Sequence, residues 1–399
     1  MPILSPVSML DTDLYKLTMQ QAVIEKFPRE TVRYDFFNRG KTKFPIGFGY
    51  ELTNVISYFC DQAILTEEEK SYLKTACPFL SDMYLDFLKG YKYNSDEVKI
   101  SQVDGDLLIT IMGPWYRTIL WEVPLMAMIS ELYYILSDDK CLNDRETRLE
   151  HNIQKGNIFR DNGLYVADYG TRRRFSYSNH NEVVRDLASV SGEYFVGTSN
   201  IHFAKMHGIK PLGTQAHEWF MFHAAKYGYR RANEISLKNW TDVYHGALGT
   251  ALSDTYTTDV FLRDFDSLYA RQFDGTRQDS GDPISYLKKI VHHYMSLGID
   301  PVNKIILFSD SLNCDKAIEI HNSVFEYGFG IKDRYGIGTY LTNDLEGITP
   351  LNMVIKMTGI QEDGIPGFVP TVKLSDDIGK HTAIDLDEIK ICKRQLGIE

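Results

Sequence analysis

The sequence predicts an α/β protein: a parallel β/α barrel carrying a smaller appended portion. Three observations predict it. From about residue 160, short apolar runs ending in polar or glycine residues alternate with helix-like segments. These strand-then-helix units recur at roughly 20–35-residue spacing, the rhythm of a β/α barrel. The length of 399 residues suits two or three domains, or one barrel with an appendage.

The elements follow in order. Residues 12–26 (TDLYKLTMQQAVIEK) place Leu14, Leu17, Ala22 and Val23 near helical spacing. Residues 31–37 (TVRYDFF) alternate Val32, Tyr34 and Phe36, a half-buried strand stopped by Asn38-Arg39-Gly40. Helical patterning recurs through 50–92 and 119–136. The later strand runs end as LYVADYG, EYFVGTSN, LGTQAHEW, ALSDTYTTD, TRQDSGDP, IILFSDSLN, YGIGTYLTND and MVIKMTG. Asp282-Pro283 opens a helix with an N-cap and a proline in its first turn. Ile284, Leu287, Val291 and Tyr294 give its apolar stripe and Gly298 its stop. A second helix covers about 313–328, with Ala317, Ile318, His321, Val324 and Phe325 on one side. The Pro/Gly-rich stretch 364–370 breaks the pattern before a charged tail. The domain boundaries are therefore set at 1–150, 151–363 and 364–399.

Composition excludes several classes. A net charge of −11 argues against a nucleic-acid binder, which needs a basic face to displace counterions. The five cysteines are scattered with no C-x-x-C pair, so neither a disulfide framework nor a zinc knuckle is indicated. Residues 1–10 lack the pattern of a signal peptide. The apolar stretches 107–112 and 119–136 are interrupted by Gly113-Pro114, Glu122, Pro124 and Glu131, short of an uninterrupted membrane span. The expectation is a soluble cytoplasmic protein with neither membrane nor nucleic acid as partner. Three near-motifs also fail. Asp35 replaces the first glycine of a phosphate loop ending Gly40-Lys41-Thr42. Gly47 and Gly49 lack the third glycine of a dinucleotide loop. Met221 stands where a zinc-protease motif starting at His217-Glu218 needs its second histidine.

Four strand ends carry candidate chemistry. DYGTRRR (168–174) sets Tyr169 before Arg172, Arg173 and Arg174. Guanidinium forks suit carboxylates and phosphates, and an aromatic face suits a flat ring, although a solvated basic turn has the same composition. RQDSGDP (277–283) joins Arg277 and Asp279 to a helix start, an arrangement for an anion or a Mg2+-bound phosphate. Asp282 is read as the helix cap. Asp254 and Asp310 end two further runs, where each is either a turn residue or a site carboxylate. His217, in GTQAHEW, falls at a strand-to-helix junction as either a reactive imidazole or a hydrogen-bonded barrel histidine.

Taken together, TDLYKLTM, YDFFNRG, DYGTRRRFS, GTSN, GTQAHEW, RQDSGDP, YGIGTYLTND and VKLSDDIGKH resemble the nicotinate phosphoribosyltransferase family, in order and over nearly the whole chain. The resemblance implies an irregular β/α barrel plus a smaller α/β domain built from the N-terminal region and part of the tail. It also implies a homodimer with shared sites. The implied reaction joins nicotinate to phosphoribosyl pyrophosphate, releasing nicotinate mononucleotide and pyrophosphate with ATP hydrolysis, as a ligase at the entry to NAD salvage. His217 matches the histidine phosphorylated by ATP. Tyr169 and Arg172 match the groups that stack on and clamp the pyridine, with Tyr15 arriving from the partner subunit. Asp254, Arg277 and Asp279 match metal (Mg2+), pyrophosphate and ribose contacts, and Asp310 lies near the ribose. Gly336 and Gly338 match a cradle for the 5′-phosphate, and Arg39 and Lys373 match phosphate contacts. Either Asp254 or, failing it, Glu218 would orient His217. Ser199, in GTSN, stands where amide-using relatives look to hold an aspartate, so the resemblance favours the acid over the amide. A serine at that point can equally cap the following helix.

Competing readings are nicotinamide phosphoribosyltransferase, quinolinate phosphoribosyltransferase, a carboxylate-pair sugar hydrolase and a non-catalytic phosphate-binding module. The hydrolase would leave Tyr169 and the three arginines unused.

Overall fold

A computed structural model of the chain describes residues 6–383 and 385–398, so the first five residues of the leading segment lie outside the described residues. The fold is α/β, an irregular β/α barrel with a parallel and an antiparallel sheet. Its strands are β1 (Thr31–Asn38), β2 (Val98–Val103), β3 (Asp106–Pro114), β4 (Val166–Asp168), β5 (Phe195–Thr198), β6 (Thr250–Leu252), β7 (Gly275–Gln278), β8 (Ile305–Phe308), β9 (Lys332–Ile337), β10 (Met353–Gln361) and β11 (Val369–Pro370).

The chain forms two compact units. One comprises 1–21, 34–213 and 337–355, and the other 22–33, 214–336 and 356–399. These limits differ from the sequence boundaries at 150/151 and 363/364. Each unit draws on three separated segments, and a linear reading of composition has no signal for such interleaving.

In the first unit, β2 and β3 form an antiparallel hairpin from Val98↔Ile111 to Val103↔Asp106. Asp104 and Gly105 both take positive φ in its two-residue turn, the conformation that matches strand twist. Along β3 Leu107, Ile109 and Ile111 point inward, each about 1.5–3 kcal/mol of burial. The helical run Trp115–Leu136 is long and apolar enough to cross a membrane, yet 83% of its most apolar window is buried inside the protein. Glu122 and Pro124 open the helix Glu122–Leu136 rather than breaking it. Proline is tolerated in a first turn, and Glu122 is charge-paired there with Lys16 at 2.7 Å. β4 and β5 pair in parallel in the same unit.

In the second unit β6, β7, β8 and β9 lie side by side, all parallel. Helices follow the strands as the alternation predicts. Asp282 caps Pro283–Ser296 by accepting from the Ser285 amide at 2.6 Å, and Gly298 takes φ 65° just past the helix end. Asn313 caps Cys314–Tyr327. The apolar stripe of that helix departs from the expected one. Cys314, Ala317, Ile320 and Val324 face inward, while Phe325 is 93% exposed. With the stripe centred on 317, 320 and 324, residue 325 is rotated about 100° off the buried face.

Candidate active site

The second unit brings His217, Asp254, Arg277 and Asp279 together, each at or beyond the end of a parallel strand or at a helix start. Asp254 follows β6, Arg277 lies in β7 and Asp279 follows it, and His217 opens the helix His217–Tyr227. His217 Nε2 lies 3.0 Å from Asp279 Oδ2, and its Nδ1 lies 3.0 Å from Thr255 Oγ1. Asp254 Oδ1 stands farther from Nε2, at 3.9 Å. The orienting carboxylate is therefore Asp279, not Asp254 as expected. Asp254 is held instead by Ser280 Oγ, which donates to its Oδ2 at 2.6 Å.

The electrostatics set the protonation states. Burial would raise the Asp279 carboxyl, but the Arg277 charge, the His217 hydrogen bond and the Lys373 charge outweigh it and hold it well below the usual carboxylate range. Burial, with the Lys373 charge added, lowers His217 to about 4 against the pull of Asp254 and Asp279. At neutral pH the pair is thus an ionised carboxylate beside a neutral imidazole. An ionised carboxylate only accepts, so the hydrogen-bond network assigns the ring proton to Nε2 and leaves Nδ1 accepting from Thr255.

His217, Asp254 and Asp279 each offer a ligand atom, all within 4.8 Å of one another. Asp254 Oδ1 is buried with no hydrogen-bond donor among the described residues. A desolvated carboxylate oxygen without a partner is costly alone and suits a hard cation such as Mg2+.

Three more expected residues, Lys373, Asp310 and Gly336, are found in this unit. Lys373 Nζ is 3.8 Å from Asp254 Oδ2. The backbone just after it docks on the loop beyond β6, with the Leu374 amide donating to the Thr255 carbonyl at 2.9 Å. Asp310 follows β8, where Lys380 Nζ donates to its Oδ1 at 2.5 Å. Gly336 lies within β9 and Gly338 just beyond it, at the start of Thr339–Thr342.

The first unit holds a charged cluster of its own residues. Ser199 Oγ donates to Asp13 Oδ1 at 2.7 Å. Arg172 lies 3.6 Å from both Asp13 and Glu122, with its guanidinium 5.8 Å from the centre of the Tyr15 ring. Tyr15 also donates to Glu122 at 3.3 Å. Tyr15 thus stands beside Arg172 of the same chain. The helix-cap alternative for Ser199 is settled as well. Asn200 is the cap of Ile201–His207, accepting from the Phe203 amide at 3.0 Å.

Buried polar residues position this cluster. Asp168 accepts from Gly170 N, Thr198 Oγ1 and His180 Nε2 at 2.6–2.8 Å, while its carbonyl accepts from the Ser199 amide. Arg174 is fully buried and makes a two-pronged pair with Asp11 at 2.7 and 2.8 Å. A solvated turn is excluded for that arginine. Tyr169 is half-buried after β4, and Arg39 is exposed on the turn after β1.

Sequence reasoning did not assign Thr255, Ser280, Ser309 or Lys380, nor Asp13, Lys16 or Glu122. Glu122 had a signal: a carboxylate inside an otherwise apolar helix implies a buried partner. The hydroxyl residues had none, because serine and threonine are common at strand ends for turn reasons alone.

Two family models match the chain: the nicotinate phosphoribosyltransferase N-terminal domain over residues 10–130 and the nicotinate phosphoribosyltransferase family over 164–399. The nicotinate phosphoribosyltransferase of Desulforapulum autotrophicum is 49% identical, with 98% of each chain covered. That of Chromohalobacter salexigens is 46% identical, again over 98% of each. Among solved structures, nicotinate phosphoribosyltransferase from Porphyromonas gingivalis superposes with a TM-score of 0.94 at 40% identity, covering 98% of this chain and 100% of the other. The Vibrio cholerae structure gives 0.89 at 32% identity, covering 100% and 96%.

Proposed function

The chain belongs to the nicotinate phosphoribosyltransferase family, and on that premise we propose that it is an ATP-hydrolysing ligase of NAD salvage. It joins nicotinate to phosphoribosyl pyrophosphate to give nicotinate mononucleotide and pyrophosphate. The observation that carries the reading is the His217–Asp279 couple at 3.0 Å with Arg277 on the far carboxylate oxygen. It supports a neutral, oriented imidazole able to accept a phosphoryl group from ATP.

In this reading His217 is phosphorylated during turnover, and Asp279 holds the ring and balances its charge. Asp254 and Asp279 hold Mg2+, which supplies charge neutralisation for the phosphates. Arg277 and Lys373 take charge on the pyrophosphate as it departs from C1 of the ribose, the carboxylates stabilise the cationic sugar, and Asp310 accepts from a ribose hydroxyl. Gly336 and Gly338 offer backbone to the 5′-phosphate, and Arg39 adds a phosphate contact. Tyr15, Tyr169 and Arg172 receive the pyridine ring and its carboxylate, and Ser199 favours acid over amide because a neutral hydroxyl adds no negative charge opposite that carboxylate. The protein works as a cytoplasmic homodimer.

The test is one incubation with nicotinate, phosphoribosyl pyrophosphate, Mg2+ and ATP, assayed for the mononucleotide, with each component omitted in turn and nicotinamide substituted in parallel. Product that needs nicotinate and phosphoribosyl pyrophosphate, and rises with ATP, is the expected result. No mononucleotide, or equal use of nicotinamide, overturns the reading.

A further inference from the structure

Ser309 follows β8, one residue before Asp310, and its hydroxyl sits among three groups. Arg277 Nε donates to Ser309 Oγ at 2.8 Å. Asp279 Oδ1 lies 2.8 Å from that oxygen and the Gln278 carbonyl 2.9 Å. A hydroxyl carries one proton, so it serves one of these two acceptors at a time. The ionised carboxylate is the stronger, because a hydrogen bond to a charged acceptor is roughly twice as strong as a neutral one. Asp279 Oδ1 then collects two donors, Ser309 Oγ and Arg277 Nη2 at 2.9 Å, and Oδ2 is turned to His217.

The backbone fixes this geometry. The Ser309 amide donates to the Gln278 carbonyl at 3.0 Å, so the ends of β7 and β8 are locked in register with Ser309 level with Asp279. The hydroxyl also braces the Nε edge of Arg277, whose Nη2 contacts the same carboxylate oxygen. Serine at 309 therefore sets the plane of both side chains with one atom.

We propose that Ser309 is a positioning residue for the reaction: it orients Asp279, and through Asp279 the tautomer and aim of His217. This rests on the function proposed above, but its first readout does not. Without the hydroxyl, Asp279 keeps only Arg277 on Oδ1 among the described residues, and a guanidinium drawn toward a phosphate would leave the carboxylate to rotate away from Nε2. Ser309→Ala should then phosphorylate His217 roughly tenfold or more slowly, the factor that losing a hydrogen bond to a charged group carries. Ser309→Thr keeps the hydroxyl and should restore the rate.

The experiment uses full-length protein labelled with 15N-histidine, with His217→Asn to assign the ring. Ring-nitrogen spectra of the wild type, Ser309→Ala and Ser309→Thr are recorded beside phosphate incorporation from γ-labelled ATP and thermal melts. The proposal expects Nε2–H in the wild type and Ser309→Thr, a mixed tautomer in Ser309→Ala, and little change in melting. A His217 spectrum unmoved by Ser309→Ala overturns it, as does a Ser309→Thr spectrum that matches Ser309→Ala. A moved spectrum in a protein that incorporates no phosphate supports the positioning role and overturns the phosphohistidine reading.

Discussion

Ser199→Asp tests the basis of acid selectivity. In the structure the Ser199 hydroxyl donates to Asp13 Oδ1 at 2.7 Å, in a spot where both side chains are buried. An aspartate at 199 replaces that donor by a second carboxylate. Two charges about 4 Å apart at an effective dielectric near 20 repel by about 4 kcal/mol, roughly three decades in affinity. The pair escapes part of this by keeping one proton, as close carboxylates do. Asp13 is already disposed to do so, because burial raises its carboxyl in spite of Arg172 and Ser199. A raised carboxyl stays neutral to a higher pH than an ordinary one and costs more as pH climbs through it, so the variant's defect should grow as pH rises. Nicotinate brings a further negative charge to Arg172, which the added carboxylate also draws upon. Steady-state kinetics with nicotinate and nicotinamide across a pH series should show a nicotinate KM raised on the order of a hundredfold at the high end and less at the low end. Ser199→Ala, which adds no charge, should change KM far less. A Ser199→Asp enzyme with an unchanged nicotinate KM at about pH 7.5 would refute the reasoning.

His217→Asn should keep slow, ATP-independent mononucleotide synthesis and lose substrate-dependent ATP hydrolysis; acid-labile phosphate still appearing on the variant would show that another residue is the acceptor. Asp11→Asn leaves Arg174 buried without its counter-charge and should cost about 3–5 kcal/mol in denaturant melts. In the wild type the Arg174 charge and hydrogen bonds, with Asn200, overcome burial and hold Asp11 at about 2. That stability, roughly 2 kcal/mol, is present above the ordinary carboxylate pKa and lost as pH falls from about 4 through about 2, so an acid melt indifferent to Asp11→Asn would contradict the pairing. Gly275→Ala would set a Cβ 1.9 Å from the Ile305 carbonyl, backbone that cannot yield without parting β7 from β8. It should give insoluble or strongly destabilised protein, and a wild-type melting temperature would count against the observed register.

Much of the fold was legible in the chain because its signals are local. The alternation in 31–37 put Val32, Tyr34 and Phe36 inward, and the cap, proline and glycine around Pro283–Ser296 marked both helix ends. The strand-end motifs likewise marked His217, Asp254, Arg277 and Asp279 as residues worth bringing together. Three-dimensional packing decided which atoms meet. Whether Asp254 or Asp279 faces His217 depends on how two neighbouring parallel strands end, a difference between 3.9 and 3.0 Å that no spacing rule contains. Whether Arg174 is solvated or buried depends on Asp11, 163 residues earlier. Whether Phe325 lies in or out turns on where the buried stripe is centred, and a helical sequence with apolar residues on two adjoining faces leaves that to its neighbours. Backbone preference and hydrophobic period act over a few residues and are written along the chain, while the pairing of buried charges and hydroxyls acts across it and exists only once the chain has folded.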